Sequence, residues 1–230
     1  MLKVSRGARP KGRVKVNWSA NFAYAIGLLA TDGSLSINRR HICFTSKEME
    51  QILNFQRALN IKVHIGKKSR GKGQEKKYFI TQFSDVLFYQ FLLSIGLTPA
   101  KSKTLGKVSI PSKYFFDFLR GCFDGDGYSY SYWDPRWRSS FMFYMGLVSA
   151  SEDFIDWVRM EVRQRLGISG HIGKVKKISI CYQLKYSKYE GIILVKALYK
   201  NNRGVFLKRK RLKIMKCLAI INKNLIKLVN

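Results

Sequence analysis

The chain has 230 residues, 46% hydrophobic and 13% aromatic, enough to fill one sizeable core or two small ones. Its 43 lysines and arginines against 14 acidic residues give a formal net charge of +29, which makes a polyanion the expected partner, nucleic acid before an anionic membrane. The longest clean apolar run, Gly191 to Val195, falls far short of the ~20 residues that span a bilayer, so a soluble protein is expected. Four scattered cysteines with no CxxC and no adjacent His pair argue against zinc and for reduced thiols in an intracellular compartment.

Residues 1–16 read as a basic arm. The first 19 residues carry six basic side chains, no acidic one and no apolar h-region, so they form no secretory signal. An organelle transit peptide or a segment lying on phosphate remains open. A first half follows over residues 17–95. Its apolar, small-residue run AIGLLATDG, Ala25 to Gly33, should be helical and ends in a lone carboxylate. Next come a hairpin, Ser34 to Asn38 and His41 to Thr45, and a helix, Lys47 to Leu59, with Ile52, Phe55 and Leu59 on one face. In that hairpin Leu35 and Ile37 alternate with Ser34, Ser36 and Asn38. A second hairpin around the basic tip Gly66 to Lys77 leads into a helix, Asp85 to Ile95.

Residues 96–111, rich in Lys, Ser and Gly, read as a linker to a second half over residues 112–230. That half opens with LRGCFDGDG, Leu119 to Gly127, again an apolar run ending in a carboxylate before glycine. The same order recurs: a hairpin within Tyr128 to Val148, a helix from Glu152 to Leu166, a hairpin around Lys174 to Lys177, and a helix from Tyr189 to Tyr199. HIGK occurs at His64 to Lys67 and again at His171 to Lys174, an offset of 107 against 94 for Asp32 and Asp126. The difference assigns about 13 extra residues to the first hairpin of the second half. The reading is an α+β fold of two pseudo-symmetric αββαββα halves. Each sheet would carry helices on one face and leave the other wet and positive, the two forming a saddle with the repeated helices at their interface.

Two matched carboxylates in so basic a chain suggest a shared metal site. Hydrolysis of a phosphodiester needs an activated water and charge neutralisation at phosphorus, which divalent metals supply, and a magnesium site commonly uses only one or two carboxylates. An Asp-Gly pair can also simply open a turn, but two in register repeats favour the functional reading. The three histidines, His41, His64 and His171, are not clustered and read as strand residues.

Both repeated segments resemble the signature of the LAGLIDADG homing endonucleases, and the pair resembles the monomeric double-motif type. The second copy keeps Leu119, Gly121, Asp124, Gly125, Asp126 and Gly127; the first has Ala30 where the family has its first, structural Asp, and keeps Asp32. The resemblance implies a site-specific double-strand DNA endonuclease that recognises a long asymmetric target, leaves short 3′ overhangs and promotes intron homing. It implies Mg²⁺ at Asp32 and Asp126 with Thr31 and Gly125, Mn²⁺ as a substitute, and Ca²⁺ supporting binding without cleavage. It also implies a lysine near each scissile phosphate: Lys210 in the second half, and Lys101, then Lys103, then Lys107 in the first. A polar strand-end residue beside the metals, often Gln, would fall at Ser46 and Ala150.

DNA reading would fall to outward residues of the ribbons: Ser36, Asn38 and Arg40; Lys67, Lys68, Arg70, Lys72 and Lys76; Tyr130, Tyr132, Arg136 and Arg138; Lys174, Lys176, Lys177 and Lys185. Trp133 and Trp137 are expected to pack on the sheet. Expected partners are the double-stranded target and, as an alternative, the chain's own intron RNA, with no protein partner and no membrane. An RNA-binding maturase and a DNA-binding module with a dead site remain alternatives, against which the retained Asp32 and Asp126 argue. Autonomous intein splicing is not expected, since the chain begins with Met1 and ends without His-Asn. The host, whether bacterium, phage or organelle, stays open.

Overall fold

The structure is a computed structural model and describes residues 12–69, 75, 77–137, 139–176, 180–200 and 204–229, with side chains to Asn222. The first half runs α1 (Ala20–Thr31), β1 (Gly33–Leu35), β2 (His41–Ser46), α2 (Met49–Leu59), β3 (Ile65–Lys68), β4 (Tyr78–Ser84) and α3 (Val86–Ser94). The second runs α4 (Phe115–Asp126), β5 (Gly127–Trp133), β6 (Phe141–Ser149), α5 (Glu152–Leu166), β7 (His171–Lys176), β8 (Ile180–Tyr186) and α6 (Lys188–Leu198). Both sheets are antiparallel and share one topology, β1-β2-β4-β3 and β5-β6-β8-β7. The two αββαββα halves expected from the repeats are therefore present.

The core lies between the sheets' inner faces and the helices. β2 alternates, with Ile42, Phe44 and Ser46 buried and His41, Cys43 and Thr45 on the open face. β6 does the same with Phe141, Phe143, Met145 and Leu147 inward. The helix α1 is buried from Phe22 through Ala30, which is why it carries almost no polar residue. Ser19 caps it by accepting from the Phe22 amide at 3.1 Å.

Several elements depart from the sequence expectations. β1 stops at Leu35, so Ile37 and Asn38 belong to the turn, where Arg39 adopts a left-handed φ of 60° and Ile37 is 90% exposed. The extra residues of the second half are divided: strand ends Ser46 and Ser149 are offset by 103 and helix ends Leu59 and Leu166 by 107. The hairpin thus takes nine, and α5 takes four, one further helical turn. A helix α7, Lys208–Val229, has no counterpart in the first half and was not anticipated, because its KRKR opening hides the apolar stripe Ile214, Cys217 and Ile221 that it buries. Residues 96–111 are no loose tether, since Leu97, Lys101, Leu105 and Val108 are all buried. The arm is likewise pinned where it is described: the Val14 amide donates to Asp85 at 2.8 Å, and Val14 is buried. Among the described residues, no helix is long and apolar enough to cross a membrane.

The halves meet where α1 crosses α4. A Cβ on Gly27 would lie 2.0 Å from the Phe118 carbonyl oxygen, and one on Gly121 would lie 2.1 Å from that of Tyr24. The obstacles are backbone atoms, so the helices themselves would have to separate. Gly121→Ala should lower stability by on the order of 3 kcal/mol, whereas Gly106→Ala, whose Cβ meets nothing within 4 Å, should change it by less than about 0.5 kcal/mol. Denaturant melts of the two variants check this, and equal midpoints would contradict the close packing.

Candidate active site and nucleic-acid interface

The helix crossing delivers both signature carboxylates to one place. Asp32 is the C-cap of α1, its amide donating to Leu28 at 2.9 Å, and Asp126 is the last residue of α4 before Gly127 turns into β5. The ends are interleaved: a Cβ on Gly125 would sit 2.0 Å from Thr31 Oγ1 and 2.9 Å from Asp32 Oδ2. Thr31 spends its hydroxyl on the Leu28 carbonyl at 3.1 Å. Asp126 stays open to solvent at its tip, yet burial of the surrounding helix ends raises its carboxyl pKa, two lysines opposing.

Those lysines are Lys101 and Lys210. Lys101 is buried and donates to the Gly33 carbonyl; Lys210 donates to the carbonyls of Phe123, Gly125 and Gly127 at 2.7, 3.0 and 2.7 Å. Gly33 and Gly127 are the matching positions of the repeat. Burial lowers each ammonium to about 8; Asp32 and Asp126 pull both back toward the charged form, as does Asp124 for Lys210, while Arg209 lowers Lys210 further. Lys103 and Lys107 are exposed, so of the three first-half candidates the fold brings Lys101 to the carboxylates.

Asp124 is buried and serves the frame. It accepts from Tyr24 Oη at 2.8 Å and from the Leu207 amide at 2.7 Å, at the entry to α7. Burial pushes its pKa up to about 6 against those bonds. The pseudo-symmetric positions are Ala30 and Phe118, so the carboxylate and the hydroxyl are missing together from the other side. Arg120, also buried, holds the chain entering α7 through the carbonyls of Val205 at 3.0 Å and Leu198 at 2.9 Å. The first half grips the same segment: Asn54 donates to Phe206 O at 2.9 Å and Glu48 pairs with Arg209 at 2.6 Å.

A cleft of about 500 Å³ opens beside these groups, lined among others by Asp32, Ser46, Gln51, Asp124, Gly125 and Lys210. Gln51, which sequence reasoning missed, donates to the Asp124 carbonyl at 3.0 Å and accepts from Ser46 Oγ at 2.6 Å. Gln51 thus reaches the cleft from a helix, five residues after the strand-end Ser46 that it bonds. No signal marked it, because Gln51 sits beside the apolar positions of an ordinary amphipathic helix. Among the described residues no group of three or more His, Cys, Asp or Glu side chains is arranged to hold a metal ion by itself. The donor set is two hard carboxylates within reach of each other, which fits a divalent cation that keeps most of its ligands from water and phosphate.

Strand register sorts the interface candidates. Lys68 pairs with Tyr78, and Lys185 with Gly146 and His171, on the open faces. Lys67 pairs with Phe79, Lys174 with Tyr182 and Lys176 with Ile180; these share the parity of Ile65 and Leu184 and belong to the helix-side face, contrary to expectation, because strand side chains alternate. Tyr130 and Tyr132 are on the open face and exposed. Arg40 is exposed beside the first turn, whereas Ser36 and Asn38 bond each other and His41 at its tip. Arg136 is engaged by Asp134 at 3.2 Å. Trp133 packs edge-on against Phe141 at 5.0 Å, but Trp137 is 70% exposed rather than packed. Arg70, Lys72, Lys76, Arg138 and Lys177 lie outside the described residues.

No family model matches the chain, and no curated protein does. Solved structures do. The homing endonuclease I-WcaI bound to its DNA recognition sequence aligns with a TM-score of 0.58 at 12% identity over 86% of this chain and 88% of that one. I-DmoI in complex with DNA and Ca aligns at 0.54 and 14% identity, over 85% and 97%. The N-terminal LAGLIDADG domain of DUF199/WhiA aligns at 0.51 and 16%, over 79% and 82%. Identities this low speak to architecture alone, and with the motif helices crossing at paired glycines, the chain has the two-domain LAGLIDADG fold.

Proposed function

We propose that the chain is a site-specific, divalent-metal-dependent double-strand DNA endonuclease acting on a long asymmetric target, leaving short 3′ overhangs and promoting the homing of its intron. The observation that carries this reading is the placement beside Asp32 and Asp126 of two lysines, Lys101 buried and Lys210 partly buried, that contact the matching carbonyls of Gly33 and Gly127, one set per half. A binding module does not require two desolvated ammonium groups beside paired carboxylates.

Asp32 and Asp126 would hold the metal, magnesium in the first instance, whose chemistry when bound is to lower the pKa of a water and offset charge on the phosphate. Lys101 and Lys210 place their Nζ atoms at the helix ends, where carbonyl contacts orient them and burial keeps their protons mobile near neutral pH. Each supplies positive charge to its own strand's phosphate, and the pseudo-symmetric arrangement provides for two strands. Gln51, held by Ser46, lines the first-half side of the cleft, and the buried Phe154 stands at its place in the second half, so the two strands would meet unequal surroundings.

Asp32→Asn and Asp126→Asn, made singly, should each reduce cleavage by at least about 10³-fold while leaving binding in Ca²⁺ within about threefold. Single-turnover nicking assays beside gel-shift titrations check this, and full activity in either variant would end the assignment. Binding itself should be strongly salt-dependent. Neutralising roughly 6 to 10 phosphates costs on the order of 10³ to 10⁵ in affinity between about 50 and 200 mM salt; a flat response in fluorescence anisotropy would point away from nucleic acid. Because both motif helices already satisfy each other within one chain, light scattering should find one protein per duplex, and a two-protein complex would contradict the model.

A further inference from the structure

The open face of the second sheet carries a row of tyrosines that the fold does not need. Tyr128, Tyr130 and Tyr132 alternate along β5, and Tyr144 faces Tyr130 from β6. Their rings lie nearly parallel: Tyr130 stacks on Tyr144 at 4.9 Å and 17°, and on Tyr132 at 6.4 Å and 4°. The core is filled from the opposite face by Phe141, Phe143, Met145 and Leu147. Tyr128 leans across Gly146, where a Cβ would come within 2.7 Å of its hydroxyl, and so fixes one end of the row. Lys185 lies 5.4 Å from the Tyr144 ring centroid and fixes the side.

Stacking engages the ring faces with one another, so what Tyr130 and Tyr132, 38% and 43% exposed, offer outward is ring edges together with the hydroxyls they carry. Met142, opposite Tyr132, extends the same apolar strip. The bidentate guanine contact of arginine is not provided here among the described residues, since Arg136 at the hairpin tip is engaged by Asp134. The matching surface of the first sheet is built differently, with Ser34, His41, Cys43 and Thr45 outward. In the major groove the apolar group that base edges present is the thymine 5-methyl.

We infer that the β5–β6 ribbon reads its part of the duplex through thymine methyl groups packed against the tyrosine row, while the β1–β2 ribbon reads by hydrogen bonds. The inference rests on the endonuclease reading above and assigns to each half a different chemistry of recognition. It also separates DNA from RNA, since uracil lacks the methyl.

The test uses the full chain in Ca²⁺. Duplexes are selected from a randomised library, and the tightest is resynthesised with deoxyuridine replacing thymine in one half-site at a time. Replacement in one half should weaken binding by about fourfold for each methyl group buried, and replacement in the other by less than about twofold. Tyr130→Ser or Tyr132→Ser should abolish the sensitivity of that half while leaving the salt dependence intact, and Tyr132→Ser, at the exposed end of the row, guards against a folding defect in the other. Equal indifference of both halves to deoxyuridine, or sensitivity that survives both substitutions, would overturn the inference. A library from which no duplex is retained would overturn the endonuclease reading and this one with it.

Discussion

Everything in this molecule depends on two backbones touching. At Gly27 and Gly121 the α carbons lie so close that an added Cβ on either residue would be 3.0 Å from the other's Cα and would strike a carbonyl besides. Close packing of that kind fixes rotation as well as distance, because only one face of each helix is bare enough to admit the other. Fixing rotation at the crossing fixes where each C-terminus emerges, and with it the carboxylate that each repeat carries. The sheets then follow as the continuation of those helices, β1 from Asp32 and β5 from Asp126.

The symmetry imposed there is broken in stages moving outward. The carboxylates and the lysine-to-glycine contacts are matched. One layer out, Tyr24 and Asp124 are paired by a hydrogen bond at 2.8 Å, while Phe118 and Ala30 hold the equivalent places with no polar atom to satisfy. That joint loss leaves no buried group unpaired, which is the costly outcome. Farther out the halves diverge freely: α5 is a turn longer than α2, the β5–β6 ribbon is longer than β1–β2, and α7 exists once. Asymmetry grows with distance from the paired carboxylates, which is what the proposed reading requires, since its chemistry needs symmetry and its target does not.

The repeat made most of the fold legible, because each half's hydrophobic periods agree with their copy 94 to 107 residues away. Asp32 and Asp126 stand out for the same reason, whereas Lys210 rests on the family resemblance. What could not be read was anything that depends on contacts between halves. Gln51 looks like any polar residue on an amphipathic helix until α4 lies beside it, and Lys101 differs from Lys103 only by the direction in which a short turn aims it. Parity misled for Lys67 and Lys174, since basic residues near a hairpin tip look outward-facing on either face. The helix α7 escaped because its apolar stripe is thin and its opening turn is almost wholly cationic.

The supports of the two lysines are crossed. The segment that carries Lys210 comes from the second half but is clasped by Asn54 and Glu48 of the first, and the turn that carries Lys101 comes from the first half while Ser151 of the second donates to its Leu105 carbonyl at 2.6 Å. Each half therefore helps to steady the segment that carries its neighbour's lysine. Halves with such reciprocal claims are no longer exchangeable modules: a half moved into another pair would keep its own sheet but arrive without the partner groups that clasp the segment carrying its own lysine. On the proposed reading, ribbon residues can change within this pair while the crossed clasps keep the two halves together.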